Sequence, residues 1–424
     1  MRRFFRLGLL LCIFFPLMNL SAEVLSLDKD ACISRALANN SDLLIKAISL
    51  QTSRRTAAAS WNFFLPDISA TASASASTSG ISISPGVSVS YTFSPGLQEA
   101  IRLLKLKLDS NEIGYEDARQ QLILKVESEF YYLLTNRNNL EIQQSNIALA
   151  QKRYEQTEVK FKNGRASELE LLQDKVKLAN LKPAYSSLKS AYENRIREFL
   201  VVLGIDPLTE VKLAGELEIV DHTFDVDKLI EMSLKNRADI LAQQKQLDSL
   251  DISLRQARNI RYLPSFSLSA SWTGVAQDPF TDGFVYKDNL SASLRLSLGL
   301  DDYLPGSAAD LKIKEIEDSI AQAKLNQEKL ISNAKLQIIN LVDSLDTNRE
   351  NLATSRLNLE LSETSYRMTE ESFQQGKSDR LILDNAQQNL LTARQNLLES
   401  QYQYMKAIIT LRGAIGVESL DQME

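Results

Sequence analysis

The segment YEQTEVKFKNG at residues 154–164 recurs as YRMTEESFQQG at residues 366–376. Both copies keep a tyrosine first, a phenylalanine seven residues later and a glycine at the end. Glycine readily adopts the left-handed conformation that ends a helix. The repeated segment therefore predicts two helices that end at Gly164 and Gly376, in two copies of one structural unit.

Three further motifs also occur twice, so the duplication extends over most of the chain. They are Asn39-Asn40-Ser41-Asp42 with Asn236-Arg237-Ala238-Asp239, Leu65-Pro66 with Leu263-Pro264, and Leu203-Gly204-Ile205 with Ile415-Gly416-Val417. Their order predicts two repeats, residues 23–217 and residues 218–424. Each repeat is expected to contain a helix, two strands, a long helix and a shorter helix.

Apolar residues at a seven-residue spacing mark the long helix of each repeat. They are Val126, Leu133, Leu140, Ile147, Tyr154 and Phe161 in the first repeat, and Ile338, Leu345, Leu352, Leu359, Tyr366 and Phe373 in the second. This spacing keeps one apolar face against one partner helix, as in a left-handed coiled coil. The long helices are predicted at residues 97–162 and 307–374. Each would be about 100 Å long at 1.5 Å per residue, which disfavours the alternative of an ordinary amphipathic helix in a globular bundle.

Shorter helices are predicted on either side of these elements. Return helices at residues 167–203 and 379–412 would follow the two glycine turns and complete two helical hairpins. Ser167 and Glu170 form a capping-box pattern at the start of the first return helix. Pro183 is expected to kink or locally break that helix. The helices before the strand pairs are predicted at residues 29–63 and 226–262.

Two strand pairs, at residues 66–94 and 264–299, alternate apolar residues with serine and threonine. The apolar positions include Ile68, Ala70, Val87, Val89, Phe266, Leu268, Leu294 and Leu296. Such alternation indicates a half-buried sheet, which fits either a soluble sheet with one wet face or a membrane barrel with lipid outside and water inside. We favour the barrel, because the polar face is nearly all hydroxyl and no other apolar layer remains to cover a soluble sheet. Known membrane barrels have at least about eight strands, so several copies of this chain are expected to share one barrel.

Residues 1–22 have the pattern of a secretory signal peptide, with Arg2, Arg3 and Arg6 before an apolar run at residues 7–20. The alternative is an uncleaved membrane anchor, but the run is shorter than the ~20 residues of a spanning helix. No other run in the sequence qualifies as a spanning helix. Any membrane-spanning part is therefore expected to consist of strands.

The composition excludes several classes of function. The chain of 424 residues has a formal net charge of -6 and no basic block, which gives no support for nucleic-acid binding. It contains one histidine and two cysteines, of which Cys12 lies in the predicted leader. Zinc clusters and Ser-His-Asp triads are therefore excluded, and no glycine-rich phosphate loop follows a strand. We expect no enzymatic activity, no catalytic residue, no cofactor and no metal site.

The doubled order of elements resembles the TolC family of outer-membrane efflux and secretion channels, over essentially the whole mature chain. The resemblance rests on the paired Asn-x-x-Asp and Leu-Pro motifs and on the two tyrosine-to-glycine segments. It also rests on Ala386-Gln387-Gln388-Asn389-Leu390, which is similar to the tip-helix motif of the family. The resemblance implies a homotrimer with a twelve-stranded barrel in outer-membrane lipid and a tapered helical tunnel that extends into the periplasm. It further implies docking to a periplasmic adaptor protein and an inner-membrane pump.

The resemblance also suggests functional residues at the two hairpin tips. Exposed tip residues would meet the adaptor, and here they are Asn163, Gly164, Arg165, Gln375, Gly376 and Lys377. Acidic residues often narrow the periplasmic entrance in this family, but the positions where they would stand hold Ile382 and Asn385. The nearby acids Asp379 and Asp384 are therefore the candidates for an entrance constriction. The alternatives are a helix cap for Asp379 and a solvated helix face for Asp384.

The sequence thus predicts a mainly α protein with a transmembrane β-barrel part and long coiled-coil hairpins. The predicted function is that of an outer-membrane channel subunit of a tripartite efflux or type I secretion system, acting as a passive export conduit because no nucleotide site is visible. The alternative is a non-channel coiled-coil adaptor or scaffold protein of the periplasm. An adaptor would carry a compact glycine-rich β-domain within its hairpin, and the sequence shows none.

Overall fold

The computed structural model describes residues 25–78, 80–217, 219–220, 222, 224–277, 279 and 284–419. The predicted signal peptide, residues 1–22, lies outside the described residues. The helices are α1 Lys29–Asn39, α2 Ser41–Ala58, α3 Leu97–Lys162, α4 Glu168–Val202, α5 Val226–Asn236, α6 Ala238–Tyr262, α7 Ala308–Gln374 and α8 Arg380–Ile415. The strands are β1 Leu25–Leu27, β2 Asp67–Ser77, β3 Gly80–Phe93, β4 Val211–Leu213, β5 Ser265–Gln277 and β6 Val285–Ser297.

The long helices α3 and α7 contain 66 and 67 residues and form hairpins with α4 and α8. Helix α4 continues without interruption through Pro183, so the predicted local break does not occur. Pro183 and its sequence neighbours are exposed. The carbonyl that loses its helical donor can therefore be hydrated, and packing against α3 on the opposite side keeps the helix continuous.

The helices before the strand pairs are each divided in two, which corrects the single helices predicted at residues 29–63 and 226–262. In the first repeat, Asn40 has an extended ψ of 121° and separates α1 from α2. Its side-chain oxygen accepts a hydrogen bond from the Leu43 amide (3.0 Å), and its side-chain nitrogen donates to the Val202 carbonyl at the end of α4 (2.9 Å). Asn40 therefore caps α2 and joins it to the return helix. A short 3₁₀ turn, Ala59–Phe64, then leads from α2 to β2.

The same break occurs in the second repeat at Arg237, between α5 and α6. A glycine at the end of the return helix contacts the broken helix in both repeats. A Cβ atom on Gly204 would lie 2.6 Å from Asn39, and one on Gly416 would lie 2.9 Å from the Asn236 carbonyl. Both glycines also have a positive φ, so the repeated Leu-Gly-Ile and Ile-Gly-Val motifs mark a close packing contact.

The four longer strands form one antiparallel sheet in the order β2-β3-β5-β6. Paired residues across the sheet have the same chemical character: Ser88 pairs with Ser271, whereas Val87 pairs with Trp272. One face is therefore apolar and the other is lined by hydroxyl groups. Strands β2 and β6 are the two open edges. The short strands β1 and β4 form a separate parallel pair.

The buried apolar side chains form two clusters, one in each repeat. The cluster of the first repeat includes Val126, Leu133 and Phe199, and that of the second includes Ile338, Leu345 and Leu411. The apolar residues seven apart that lie in the first part of this series on each long helix, such as Val126 and Leu133 on α3 and Ile338 and Leu345 on α7, are thus buried, as the spacing predicts. In the described part of the chain, no helix combines the length and the apolar character needed to cross a membrane.

Candidate functional site at the hairpin tips

Both hairpins end in the same tight turn. In the first, Gly164 has a left-handed φ of 70°, and the Arg165 amide donates to the Lys160 carbonyl (2.8 Å). In the second, Gly376 has a φ of 73°, and the Lys377 amide donates to the Ser372 carbonyl (2.9 Å). These bonds close the C-terminal end of each long helix. All six residues that were predicted to meet an adaptor are exposed in these two turns.

Side-chain caps start the return helices beside the turns. The Ser167 hydroxyl accepts from the Glu170 amide (3.2 Å), and the Glu170 carboxylate accepts from the Ser167 amide (2.8 Å), which forms the expected capping box. The Asp379 carboxylate accepts from the Leu381 amide (3.4 Å) at the start of α8. Asp379 therefore occupies a helix-cap position and remains exposed.

Asp384 lies one turn into α8 and faces the other hairpin. Its carboxylate is 2.8 Å from Arg153 Nη1 on α3 and 3.0 Å from Lys177 Nζ on α4. Arg380 Nε, on α8 itself, lies 3.8 Å away. The Asp384 side chain is only 31% exposed, so water screens these attractions less than at an open surface. Asp384 thus links the two hairpins.

A second carboxylate completes this set of contacts. Asp174 on α4 is buried, accepts a hydrogen bond from the Thr157 hydroxyl (2.7 Å) and forms an ion pair with Arg380. We call the whole set the tip ion-pair network. Its members are Arg153, Thr157, Asp174, Lys177, Arg380 and Asp384. The network contains residues of α3, α4 and α8, and it therefore joins the first repeat to the second.

Above the tips, α3 packs along α8 in a contact that we call the α3–α8 seam. It contains several polar pairs and one contact between the rings of Tyr132 and Tyr402, whose centroids are 5.6 Å apart. Gln387 Nε2 donates to Asn146 (3.2 Å), and Gln395 Nε2 donates to Asn139 (3.1 Å). At the far end of the seam, Arg412 Nη1 lies 2.6 Å from Glu127, with each side chain 7% exposed. The apolar clusters, by contrast, each lie within one repeat. Separation of the tips would therefore break polar contacts and leave both apolar cores intact.

The tip ion-pair network contains three residues that were not predicted from the sequence, Arg153, Lys177 and Asp174. The sequence does carry one indication of a polar helix contact: Asn139, Asn146 and Arg153 stand seven residues apart on α3, where a coiled-coil seam would normally be apolar. Polar residues at this period indicate one polar helix face toward one neighbouring helix. The partners on α8 are more than 200 residues away in the sequence, so the pairing itself follows only from the fold.

A cleft of about 780 Å³ lies between the two tips and is lined by residues of both hairpins. Its lining includes Arg165 from the first tip turn, Asp379 and Arg380 from the second return helix, and Asp174. In the described ranges of the chain, no group of three or more His, Cys, Asp or Glu side chains is arranged to hold a metal ion. The tip site thus consists of exposed turns, a polar cleft and ion pairs.

Solved outer-membrane channels have the same fold. The channel CmeC of Campylobacter jejuni superposes with a TM-score of 0.77 at 19% identity, over 92% of this chain and 86% of that chain. The outer membrane protein VceC of Vibrio cholerae superposes with a TM-score of 0.73 at 17% identity, over 92% of this chain and 97% of that chain. The chain therefore has the fold of these channels, in which two tandem helical hairpins are joined to an antiparallel sheet.

Sequence comparison identifies the family. The chain is 23% identical over 407 residues to TtgC of Pseudomonas putida, which is described as a probable efflux pump outer membrane protein; the match covers 91% of this chain and 82% of TtgC. The family profile described as outer membrane efflux protein matches residues 32–204 and 229–417, one segment in each repeat. The chain belongs to the outer membrane efflux protein family, which is a family of channels and not of enzymes. The resemblance to TolC-like channels and the outer-membrane location are thereby confirmed.

Proposed function

We propose that this protein is the passive outer-membrane duct of a tripartite efflux or type I secretion system. The observation that carries the proposal is the four-stranded amphipathic sheet with two open edges, continuous with two long helical hairpins. An open sheet edge in lipid leaves backbone groups unpaired. Copies of the chain would remove these edges by closing one barrel, with water against the hydroxyl face and lipid against the apolar face.

The packing order of the helices supports a ring of identical copies. On the strand side, α2 packs on α3, α3 on α6 and α6 on α7; on the tip side, α4 packs on α3, α3 on α8 and α8 on α7. One side of the subunit therefore presents α2, β2 and α4, and the opposite side presents β6 and α7. Two different, complementary sides generate a closed ring by rotation. The resemblance to the TolC family favours three copies and twelve strands.

Exposed apolar residues lie on the helices that form these two sides. On α2 and α4 they include Ile45, Ile48, Leu169 and Leu172, and on α7 they include Leu325, Leu336 and Leu361. Isolated exposed leucines are ordinary at a protein surface, but rows of them along the edge helices indicate an interface. We propose that α7 of one copy packs against α2 and α4 of the next. The division of the chain between residues 217 and 218 would then separate the repeat that forms one side of this interface from the repeat that forms the other side.

We further propose that the tips form the regulated entrance. The exposed turn residues Asn163, Gly164, Arg165, Gln375, Gly376 and Lys377 would dock a periplasmic adaptor, which in turn would join the duct to an inner-membrane pump. Asp379 and Asp384 would mark the constriction. Asp384 would act by tying the second hairpin to the first, because its carboxylate already contacts Arg153 and Lys177. Adaptor binding would open the entrance by replacing these contacts.

Reconstitution tests this proposal directly. The purified protein is expected to migrate as a trimer in native mass spectrometry and to conduct ions in a planar lipid bilayer. A stable monomer that forms no pores would contradict the duct and would favour the periplasmic scaffold. Docking is tested separately with a photocrosslinking amino acid at Arg165 or Lys377 and the purified cognate adaptor. The exposed Lys235, on α5 and remote from the tip turns, is the matched control position, and equal crosslinking there would refute tip docking.

A further inference from the structure

The hydroxyl face of the sheet carries very few charges. Along this face Ser69 pairs with Ser88, Ser88 with Ser271 and Ser271 with Ser291. Several of these hydroxyl groups bond to one another across the strands, at 2.7 Å for Ser69 with Ser88 and 2.9 Å for Ser271 with Ser291. Neutral hydroxyl groups that satisfy each other neither attract nor exclude an ion by net charge.

Three charged side chains interrupt this neutral face in the described parts of strands β2, β3, β5 and β6. Arg295 on β6 pairs with Ser267, which in turn pairs with Thr92, so the guanidinium lies on the hydroxyl face near the helix-proximal end. Lys287 lies on the same face near the far end of β6, opposite Val275. The third charge is Asp67, at the start of β2. The face therefore has two cations and one anion per chain.

Arg295 has no neutralising carboxylate among the residues that the structure describes. It forms no ion pair with any residue that the structure describes, and its pairing neighbours are all hydroxyl residues. Asp67 is the only acid on this face of the described strands, and it stands on the opposite edge of the sheet. Three strand spacings of about 4.8 Å separate the two residues by at least about 14 Å. That distance exceeds the Debye length of about 8 Å at physiological ionic strength, so Asp67 does not neutralise Arg295 of its own subunit. When copies close one barrel, β2 of the next copy meets β6 and its Asp67 offsets part of the charge, but the face keeps a net charge of +1 per chain, since it holds two cations and one acid.

We infer that Arg295 makes the strand end of the duct selective for anionic solutes. This inference rests on the proposed function, because the hydroxyl face becomes a pore lining only when several copies close one barrel. Every copy then contributes one guanidinium at the same height, which forms a ring of charge on a face that holds two cations and one acid per chain. Rings of charged side chains set the ionic preference of water-filled pores. Lys287 adds charge of the same sign farther along the pore.

The test is the anion-to-cation permeability ratio of the reconstituted protein in a planar bilayer. The ratio is taken from the reversal potential in a dilute KCl gradient, below about 0.1 M, where the Debye length reaches about 10 Å or more and wall charges act across the pore. Wild type is compared with Arg295→Gln, Arg295→Lys and Arg295→Glu. All four proteins share the same helical entrance, so differences between them report the strand region.

The expected result is a graded loss of anion preference. Arg295→Lys should keep the wild-type permeability ratio, Arg295→Gln should lower it, and Arg295→Glu should lower it further. The differences should shrink in concentrated KCl because salt screens the ring. A ratio that does not respond to Arg295→Gln would overturn the inference and would mean that the ring is neutralised, for example by the acid of an adjacent copy. Absence of any conductance in wild type would instead contradict the proposed duct.

Discussion

Replacement of Asp384 by asparagine tests the tip ion-pair network most directly. Asparagine has nearly the same shape as aspartate but no charge, so the variant keeps packing and loses the attraction to Arg153 and Lys177. These two cations lie 2.8 Å and 3.0 Å from the carboxylate. The site is partly shielded, with Arg153 18% exposed and Asp384 31% exposed. We therefore expect the carboxylate to contribute more than an exposed pair does and less than a fully buried one.

The magnitude follows from these two limits. Exposed ion pairs stabilise by about 0.2–1 kcal/mol, and hydrogen bonds to charged groups contribute about 1.5–3 kcal/mol. A loss of about 1–2 kcal/mol per chain is a reasonable intermediate value for Asp384→Asn. If three chains open together, the closed entrance loses about 3–6 kcal/mol, which corresponds to a shift of roughly 10²–10⁴ in the ratio of closed to open states.

Single-channel recording in planar bilayers measures this shift. Asp384→Asn should show a higher mean conductance and shorter closed periods than wild type. The matched control is Glu363→Gln, since Glu363 pairs with Arg394 at 3.0 Å within the second hairpin and does not cross to the first. The control makes the same carboxylate-to-amide change and should behave like wild type. Wild-type gating in Asp384→Asn, or equal opening in both variants, would refute the reasoning.

Glu127→Ala should lower the free energy of unfolding by about 3–5 kcal/mol, because the buried Arg412 would lose its ion-pair partner. Denaturant titration of the detergent-solubilised protein measures the loss, and replacement of both residues by methionine should recover part of it. Hydrogen bonds from Lys314 and other donors hold the pKa of the Asp310 carboxyl well below its usual range. The charged carboxylate therefore stabilises the fold above its ordinary pKa of about 4, and this contribution is lost as pH falls through the lowered pKa, so Asp310→Asn should melt earlier than wild type at pH 7 but not in strong acid. Burial raises the pKa of the Cys32 thiol to about 12, so a maleimide reagent at pH 8 should label Cys32 only after unfolding.

Each of these three expectations has an outcome that contradicts it. An unchanged denaturation midpoint in Glu127→Ala would show that Arg412 finds another partner or reaches water. A melting difference for Asp310→Asn that is the same at every pH would show that the carboxylate charge is not what stabilises this site. Rapid labelling of Cys32 in the folded protein would show that the core around α1 opens readily.

Local sequence determined the elements and their faces. The glycines Gly164 and Gly376 predicted the hairpin turns, because a helix that ends in a left-handed residue needs only local hydrogen bonds. The alternation of apolar and hydroxyl residues within the strands, and the apolar residues seven apart in α3 and α7, predicted which faces are apolar. This works because the period at which side chains return to one face depends only on the type of backbone structure. The duplication then predicted the order of these elements along the chain.

Only the tertiary structure decided how the two repeats meet. Asp384 has the spacing of a solvated helix residue, and its role follows from Arg153 and Lys177, which packing brings to it from more than 200 residues away. The helix break at Asn40 likewise depends on the Val202 carbonyl and on the close approach of Gly204. In each case the polar group is satisfied by a partner that is remote in the chain. Local propensity cannot encode such a partner, because its position is set by how whole helices pack against one another.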